Sequence, residues 1–246
     1  LIGFFAVDEK PTGSRDPYAL RRAALGIIRL VLENGLRLPL REVLMKAYWG
    51  YNETVPDFEK KLDGGHKPKI LERELLDFFA DRLKVHLRER GVRHDHVEAV
   101  FALGNEDDLV RLIARVDALS GFLDSDDGEN LVAAFKRASN IVAIEEKKDG
   151  ISFDGDIAVD KLAQDEERAL VDGLSASAQR ANAAIEAEKY VEAMEAMSTL
   201  RAPVDLFFDK VTVNADDADI RANRLRLLSQ FRSTLGQIAD FSRIES

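Results

Sequence analysis

The sequence predicts an all-α protein, and three observations carry that prediction. Apolar residues recur at intervals of three and four along nearly the whole chain, the spacing that lines one face of a helix. Acidic, Ser and Pro residues stand where these stretches begin, and Gly stands where several of them end. Only Val211-Thr212-Val213 has strand-like character, and three residues do not build a sheet.

Asp16-Pro17 is the first helix entry: a carboxylate that accepts from unpaired backbone N–H groups, then a residue that lacks one. Leu20, Ala24, Ile27, Ile28, Val31 and Leu32 share a face, and Gly35 stops the helix. The pattern repeats from Pro39 to Tyr48 on Leu40, Val43, Leu44 and Ala47. Residues 50–66 hold Pro56 and Gly64-Gly65 and read as a weakly ordered connection, which divides the chain into domains at 1–66 and 67–246. A long helix follows from Pro68 to Arg90, with Ile70, Leu71, Leu75, Phe78, Phe79, Leu83 and Leu87 inward and Gly91 as its stop. A short helix spans 97–103.

Asn105, with Asp108 three residues on, opens a helix on Leu109, Leu112, Ile113, Val116, Leu119 and Phe122. Ser125 caps the next, which buries Leu131, Val132, Phe135, Ile141 and Val142. Residues 149–160 contain Gly150 and Gly155 and read as a loop. Helices resume over 165–187, 189–200 and 217–241, the last on Ile220, Leu227, Leu228, Phe231, Leu235 and Ile238. Leu20, Ile27, Val31, Phe78, Leu112, Phe135 and Phe231 are the expected core.

Composition narrows the chemistry. The 246 residues are 46% hydrophobic and 33% charged, ordinary for a globular protein with a sizeable core. No run approaches the roughly 18 apolar residues of a membrane span. There is no Cys, which excludes disulfides and thiolate chemistry and fits a cytoplasmic protein. The opening Leu1-Ile-Gly-Phe-Phe reads as the interior of a longer protein, cut within an upstream domain. Charge is uneven: residues 1–96 hold 18 Lys and Arg against 15 Asp and Glu, and residues 97–246 hold 17 against 30. The net values of +3 and −13 argue against non-specific nucleic-acid binding, yet a local cluster of Lys and Arg suffices for phosphate contact.

Four His residues occur, at 66, 86, 94 and 96. His94-Asp95 invites comparison with HD phosphohydrolases, whose metal activates water, but further His and Asp ligands at distant positions are required. Residues 10–17, Lys-Pro-Thr-Gly-Ser-Arg-Asp-Pro, form a small-residue loop before a helix, a geometry that also cradles phosphate. Arg21, Arg22 and Arg29 in that helix make either a basic strip or its solvated face. Lys136-Arg137 has Asn140 one turn on, and Arg221, Arg224 and Arg232 share one helix with Asn223. Arg with Asn joins phosphate clamping to base-edge hydrogen bonding, although a solvated helix face accounts for the same residues.

Several stretches together resemble a known family. Residues 9–26, Glu-Lys-Pro-Thr-Gly-Ser-Arg-Asp-Pro-Tyr-Ala-Leu-Arg-Arg-Ala-Ala-Leu-Gly, are similar to a segment of bacterial two-subunit glycyl-tRNA synthetase β subunits, where it closes an HD-like helical domain. Residues 134–141 resemble that family's Lys-Arg-x-x-Asn-Ile stretch. Residues 200–211 and 215–225 are similar to its anticodon-binding domain, and the likeness continues through 239–242.

The resemblance implies the end of an HD-like domain followed by an α-helical, DALR-type anticodon-binding bundle. It implies that ATP and Mg²⁺ are used by a separate α subunit, with no cofactor or metal held by these residues. The expected partners are glycine tRNA, the α subunit and the remainder of the β subunit, in the cytoplasm and with no membrane. The candidate tRNA-binding residues are Arg15, Arg21, Arg22, Lys136, Arg137, Asn140, Arg221, Asn223 and Arg224. The last six are expected on exposed faces bordering one concave surface. Asp117-Ala118-Leu119-Ser120 is similar to the tetrapeptide that names the DALR domain, but it ends in Ser and is given no role. Thr212 and Asn214 stand where apolar residues are expected, which suggests a looser core there. The chain alone is expected neither to form glycyl-adenylate nor to charge tRNA. Two rivals remain: an assembly module that touches no RNA, and an HD-type phosphohydrolase.

Overall fold

The computed structural model describes residues 1–55, 68–104 and 106–245. Among them the regular elements are helical, apart from one isolated bridge between Thr12 and Arg15, so the all-α prediction holds. Two compact units form: Leu1–Val97 with Gly104–Ala114, and Glu98–Leu103 with Arg115–Ser246. The division expected at residue 66 therefore falls inside the first unit. Residues 56–66 of the expected connection, and Asn105 of the expected cap, lie outside the described residues.

The first unit holds α1 (Ile2–Ala6), α2 (Leu20–Glu33), α3 (Leu40–Thr54) and α4 (Pro68–Glu89). Helix α4 explains why the boundary moves: α1, α2 and α3 all pack on it. It presents Leu71, Leu75, Phe79, Leu83 and Leu87, a four-residue repeat buried to 3% exposure or less. Ile70 and Phe78, also expected inward, flank that stripe; Ile70 is 42% exposed and Phe78 half-buried. Helix α2 begins later than expected, at Leu20, after Ala19 turns through the left-handed region at φ 53°. Asp16 still caps it, its carboxylate accepting from the Leu20 and Arg21 N–H groups at 2.8 and 3.0 Å. The buried face is Leu20, Ala24, Ile28 and Val31, which leaves Ile27 exposed. Helix α3 continues to Thr54 and buries Leu40, Leu44 and Tyr48, while Val43 is exposed.

Two further helices, α5 (His94–Phe101) and α6 (Leu109–Leu123), follow. Asp108 is the effective cap of α6: its Oδ1 accepts from the Val110 and Arg111 N–H groups at 3.0 and 3.1 Å, and Arg37 pairs with its Oδ2 at 2.6 Å.

In the second unit, α7 (Asp126–Asp149), α8 (Asp165–Glu186), α9 (Tyr190–Ser198), α10 (Arg201–Lys210) and α11 (Ala218–Gly236) make a bundle. Helices α9 and α10 pack on α8, and α11 packs on both α7 and α8. Ser125 caps α7 as expected, accepting from the Gly128 N–H at 3.2 Å. Gly128 is obligatory there, because a Cβ would collide with the Phe122 carbonyl oxygen. Gly150, at φ 69°, ends the helix in the left-handed conformation. Phe135 and Phe231 are buried, and Phe135 lies 5.7 Å from the Phe241 ring.

The helices expected over 189–200 and 217–241 leave α10 unassigned between them. Pro203 is the third residue of α10, in a first turn whose N–H groups have no helical acceptor, so its missing donor does not interrupt the helix. Helix α11 stops at Gly236 and not at Phe241; Asp240 instead caps a short 3₁₀ turn, Phe241–Arg243. The Asp240 N–H also donates to the Ala99 carbonyl at 2.9 Å, tying residues 98–103 into this unit.

Candidate nucleic-acid interface

The nine candidate residues separate into structural and available groups. Asn223 and Arg224 are 1% and 7% exposed, which corrects the expectation that they lie on an open face. The Asn223 side chain accepts from the Ala158 N–H at 2.8 Å and donates to the Ala158 carbonyl at 3.0 Å, so it pins the loop between α7 and α8. Arg224 donates from Nε to the Glu167 carboxylate at 2.7 Å and from Nη1 to the Thr212 carbonyl at 2.7 Å. Glu167 is itself fully buried, and its other oxygen accepts from the Gln164 N–H at 2.7 Å, within the capping box of α8. Every strong bond of Arg224 is thus spent inside the protein.

Arg221 is engaged in the same manner. It pairs with Glu145 and, at 2.6 Å, with Asp149, and its Nε donates to Asn214 at 3.2 Å. Asn214 in turn donates to Glu145 at 3.1 Å. Asn214 thus completes a network through its side chain while Thr212 contributes only its backbone carbonyl, and both side chains are exposed, so neither belongs to the core.

The Arg221 guanidinium, and then Asn214, hold the Glu145 carboxyl below its ordinary value of 4.5. A carboxylate whose folded pKa lies below its unfolded one contributes stability that is full above the unfolded value and is lost as pH falls through the folded value. The denaturant midpoint of the protein should accordingly fall with acidification below about pH 4.5, and Glu145→Gln should flatten that part of the profile. Urea titrations of both proteins at successive pH values between about 3 and 6 would check it; parallel profiles would refute the assignment.

Arg137 and Asn140 are exposed on α7, and Lys136 is half-buried. The Arg137 guanidinium carbon lies 4.2 Å from the centre of the Phe208 ring on α10. Seen along α7, the solvent side between Asn130 and Lys148 shows Ala133, Arg137, Asn140, Ala143, Ile144 and Lys147. The acids of that stretch, Glu145 and Glu146, are turned to internal partners: Glu145 to Arg221, and Glu146 to the Phe153 N–H at 3.2 Å. Between the exposed Glu129 and Asp149, this stretch carries no exposed carboxylate, within a region of net charge −13.

Two clefts of this unit lie apart from these cations. One, of about 410 Å³, is rimmed by Asp117, Asp127 and Glu195 and so repels phosphate. Another, of about 290 Å³, is lined by Asp154, Asp156 and Arg226 among others. Lys136, Arg137, Arg221 and Arg224 border neither.

In the first unit, Arg21 donates to the Gly13 carbonyl at 2.7 Å and so braces the loop, while Arg15 and Arg22 are exposed. Asp95 is buried and paired with Arg93 at 2.7 Å, and His96 is buried beside it. Among the described residues, no three His, Asp or Glu side chains gather as a metal site. Nor is any described helix long and apolar enough to cross a membrane.

Two family models match the chain. One described as the glycyl-tRNA synthetase beta subunit covers residues 1–102, and one described as the DALR anticodon binding domain covers residues 131–245. The whole chain is 56% identical to a glycine–tRNA ligase beta subunit from Rhodospirillum centenum, over 33% of that protein's length. It is 49% identical to one from Ruegeria sp., again over 33% of its length, and 49% identical to one from Phenylobacterium zucineum, with 99% of this chain on 32% of that protein. The chain thus spans about a third of the length of these curated relatives.

Proposed function

We propose, from the premise that this chain belongs to the glycyl-tRNA synthetase β-subunit family, that its second unit grips the anticodon arm of a glycine tRNA. The observation that carries this reading is the outer face of α7 between Asn130 and Lys148, which shows Arg137, Asn140 and Lys147 and no exposed carboxylate, inside the stretch that resembles an anticodon-binding domain. Cations on one helix face neutralise phosphates locally even when the surrounding charge is negative. The bound arm holds the acceptor end of the tRNA toward an α subunit, where ATP and Mg²⁺ are used, and this chain contributes positioning alone. A cytoplasmic location follows from that role.

The first unit favours a second part in the same assembly. Leu30, Trp49, Tyr18, Leu36, Tyr51 and Ile70 are each more than 40% exposed, an amount of open apolar surface that suits contact with protein. The remainder of the β subunit and the α subunit are the partners proposed for it.

Hydroxyl-radical footprinting of glycine tRNA on the full α–β enzyme tests the main reading. Protection of the anticodon arm is expected, and Lys147→Glu should weaken it while lowering the salt dependence of binding by about one unit. An anticodon arm as accessible as in free tRNA would leave only the assembly role.

A further inference from the structure

We infer that Arg137 and Phe208 form a stacking platform for one unpaired RNA base, with Asn140 offering hydrogen bonds to that base's edge. The inference rests on the anticodon-arm reading and specifies where a single nucleotide sits.

Arg137 differs from the other arginines of the bundle that were candidates. Arg221 and Arg224 are neutralised by carboxylates, as is Arg201 by Asp127 at 2.5 Å. Among the described residues no carboxylate pairs with Arg137; its partner is an aromatic ring. At 4.2 Å this contact is closer than Arg115 over Tyr190, at 5.0 Å, or Arg82 over Phe78, at 6.0 Å. A guanidinium stacked on a ring keeps its full positive charge, its in-plane N–H donors and one free face. Bases of single-stranded RNA stack on such planes, whereas a paired A-form helix hides its base faces.

The neighbours suit that occupant. Asn140 lies one turn on from Arg137, on the adjoining part of the same exposed face, and among the described residues no internal hydrogen bond occupies its amide. An amide carries both donors and acceptors, as a base edge requires. Ala133, one turn before Arg137, is exposed and small, so it leaves space beside the guanidinium. Ile144, one turn beyond Asn140, is 62% exposed, an apolar wall with no covering side chain in its own unit. Phe208 is half-buried and packs edge-on to the buried Phe207, with ring centres 5.8 Å apart, which fixes the plane from beneath. A plain surface cation–π pair would explain the Arg137–Phe208 contact alone, but not its place on a stretch of α7 without an exposed carboxylate, beside an unengaged amide and an exposed apolar side chain.

The test uses the full α–β enzyme and tRNA transcripts carrying 2-aminopurine at each anticodon-loop position in turn. Binding should change the fluorescence of one position through stacking. Arg137→Lys keeps the charge and removes the plane; it should erase that signal and raise the KM for tRNA roughly 5- to 150-fold, the worth of one stacked base. Glycine activation without tRNA should be unchanged. Phe208→Leu should act in the same direction, with thermal melting to confirm that the bundle stays folded. If Arg137→Ala weakens tRNA binding but Arg137→Lys restores it with the signal intact, the residue serves as a charge only and the platform is wrong, while the anticodon reading stands. If Arg137→Lys changes neither KM nor fluorescence, the platform is equally wrong. If the footprint shows no anticodon contact at all, the broader reading fails and takes the platform with it.

Discussion

Arg224→Ala should destabilise the protein by about 3–5 kcal/mol, the usual result of stripping one partner from a buried ion pair. The loss follows from what is left behind: a fully buried Glu167 carboxylate with its cation gone, and a Thr212 carbonyl without the guanidinium donor. Replacing the pair together, as Arg224→Met with Glu167→Leu, should recover much of the loss, because removing both charges also removes their desolvation penalty. Urea unfolding of the three proteins measures both effects. Near-wild-type stability for Arg224→Ala, with a raised KM for tRNA in the full enzyme, would show that this arginine faces RNA after all.

Phe135→Ala should cost about 3–5 kcal/mol, the range for truncating a buried aromatic ring. Phe135 is 8% exposed and packs against Phe241, so its removal opens a cavity between α7 and the chain's closing turn. Two residues further along the helix, Arg137 points to solvent, and its substitution should leave the melting temperature nearly unchanged. A thermal melt of both variants separates the two faces of one helix. Unchanged stability for Phe135→Ala would mean that the inner face of α7 has been misread.

Helical periodicity made most of the fold legible, because a four-residue apolar repeat has one low-energy solution when a partner helix is present. The errors cluster at stripe edges. Ile27 and Ile28 both fit the periodicity of α2, and the choice between them depends on which helix packs alongside, which the pattern does not encode. Ile70 and Val43 missed for the same reason. Exposure was legible at Arg137 and Asn140 and illegible at Arg221, Asn223 and Arg224. Both sets consist of Arg and Asn at helical spacing, so residue type cannot separate them. Their difference lies in partners distant in sequence: Glu145 and Glu167, 76 and 57 residues from Arg221 and Arg224, and the Ala158 backbone, 65 residues from Asn223. Phe208 was likewise invisible as a partner for Arg137, being on a helix that the sequence leaves unassigned.

The chain passes between its two units three times, after Val97, after Leu103 and after Ala114. That route has a consequence during synthesis. The first unit stays incomplete until residues 104–114 leave the ribosome, so its apolar helix faces wait on a stretch beyond its own long helix. Residues 98–103 emerge before that closing stretch, yet their Ala99 carbonyl meets the Asp240 N–H only once residue 240 has been made. Contacts so far apart in sequence bear the entropy of closing a long loop and slow folding accordingly. The second unit therefore seals last, and the interval before Asp240 arrives is when the inner side of α7 is most open to aggregation.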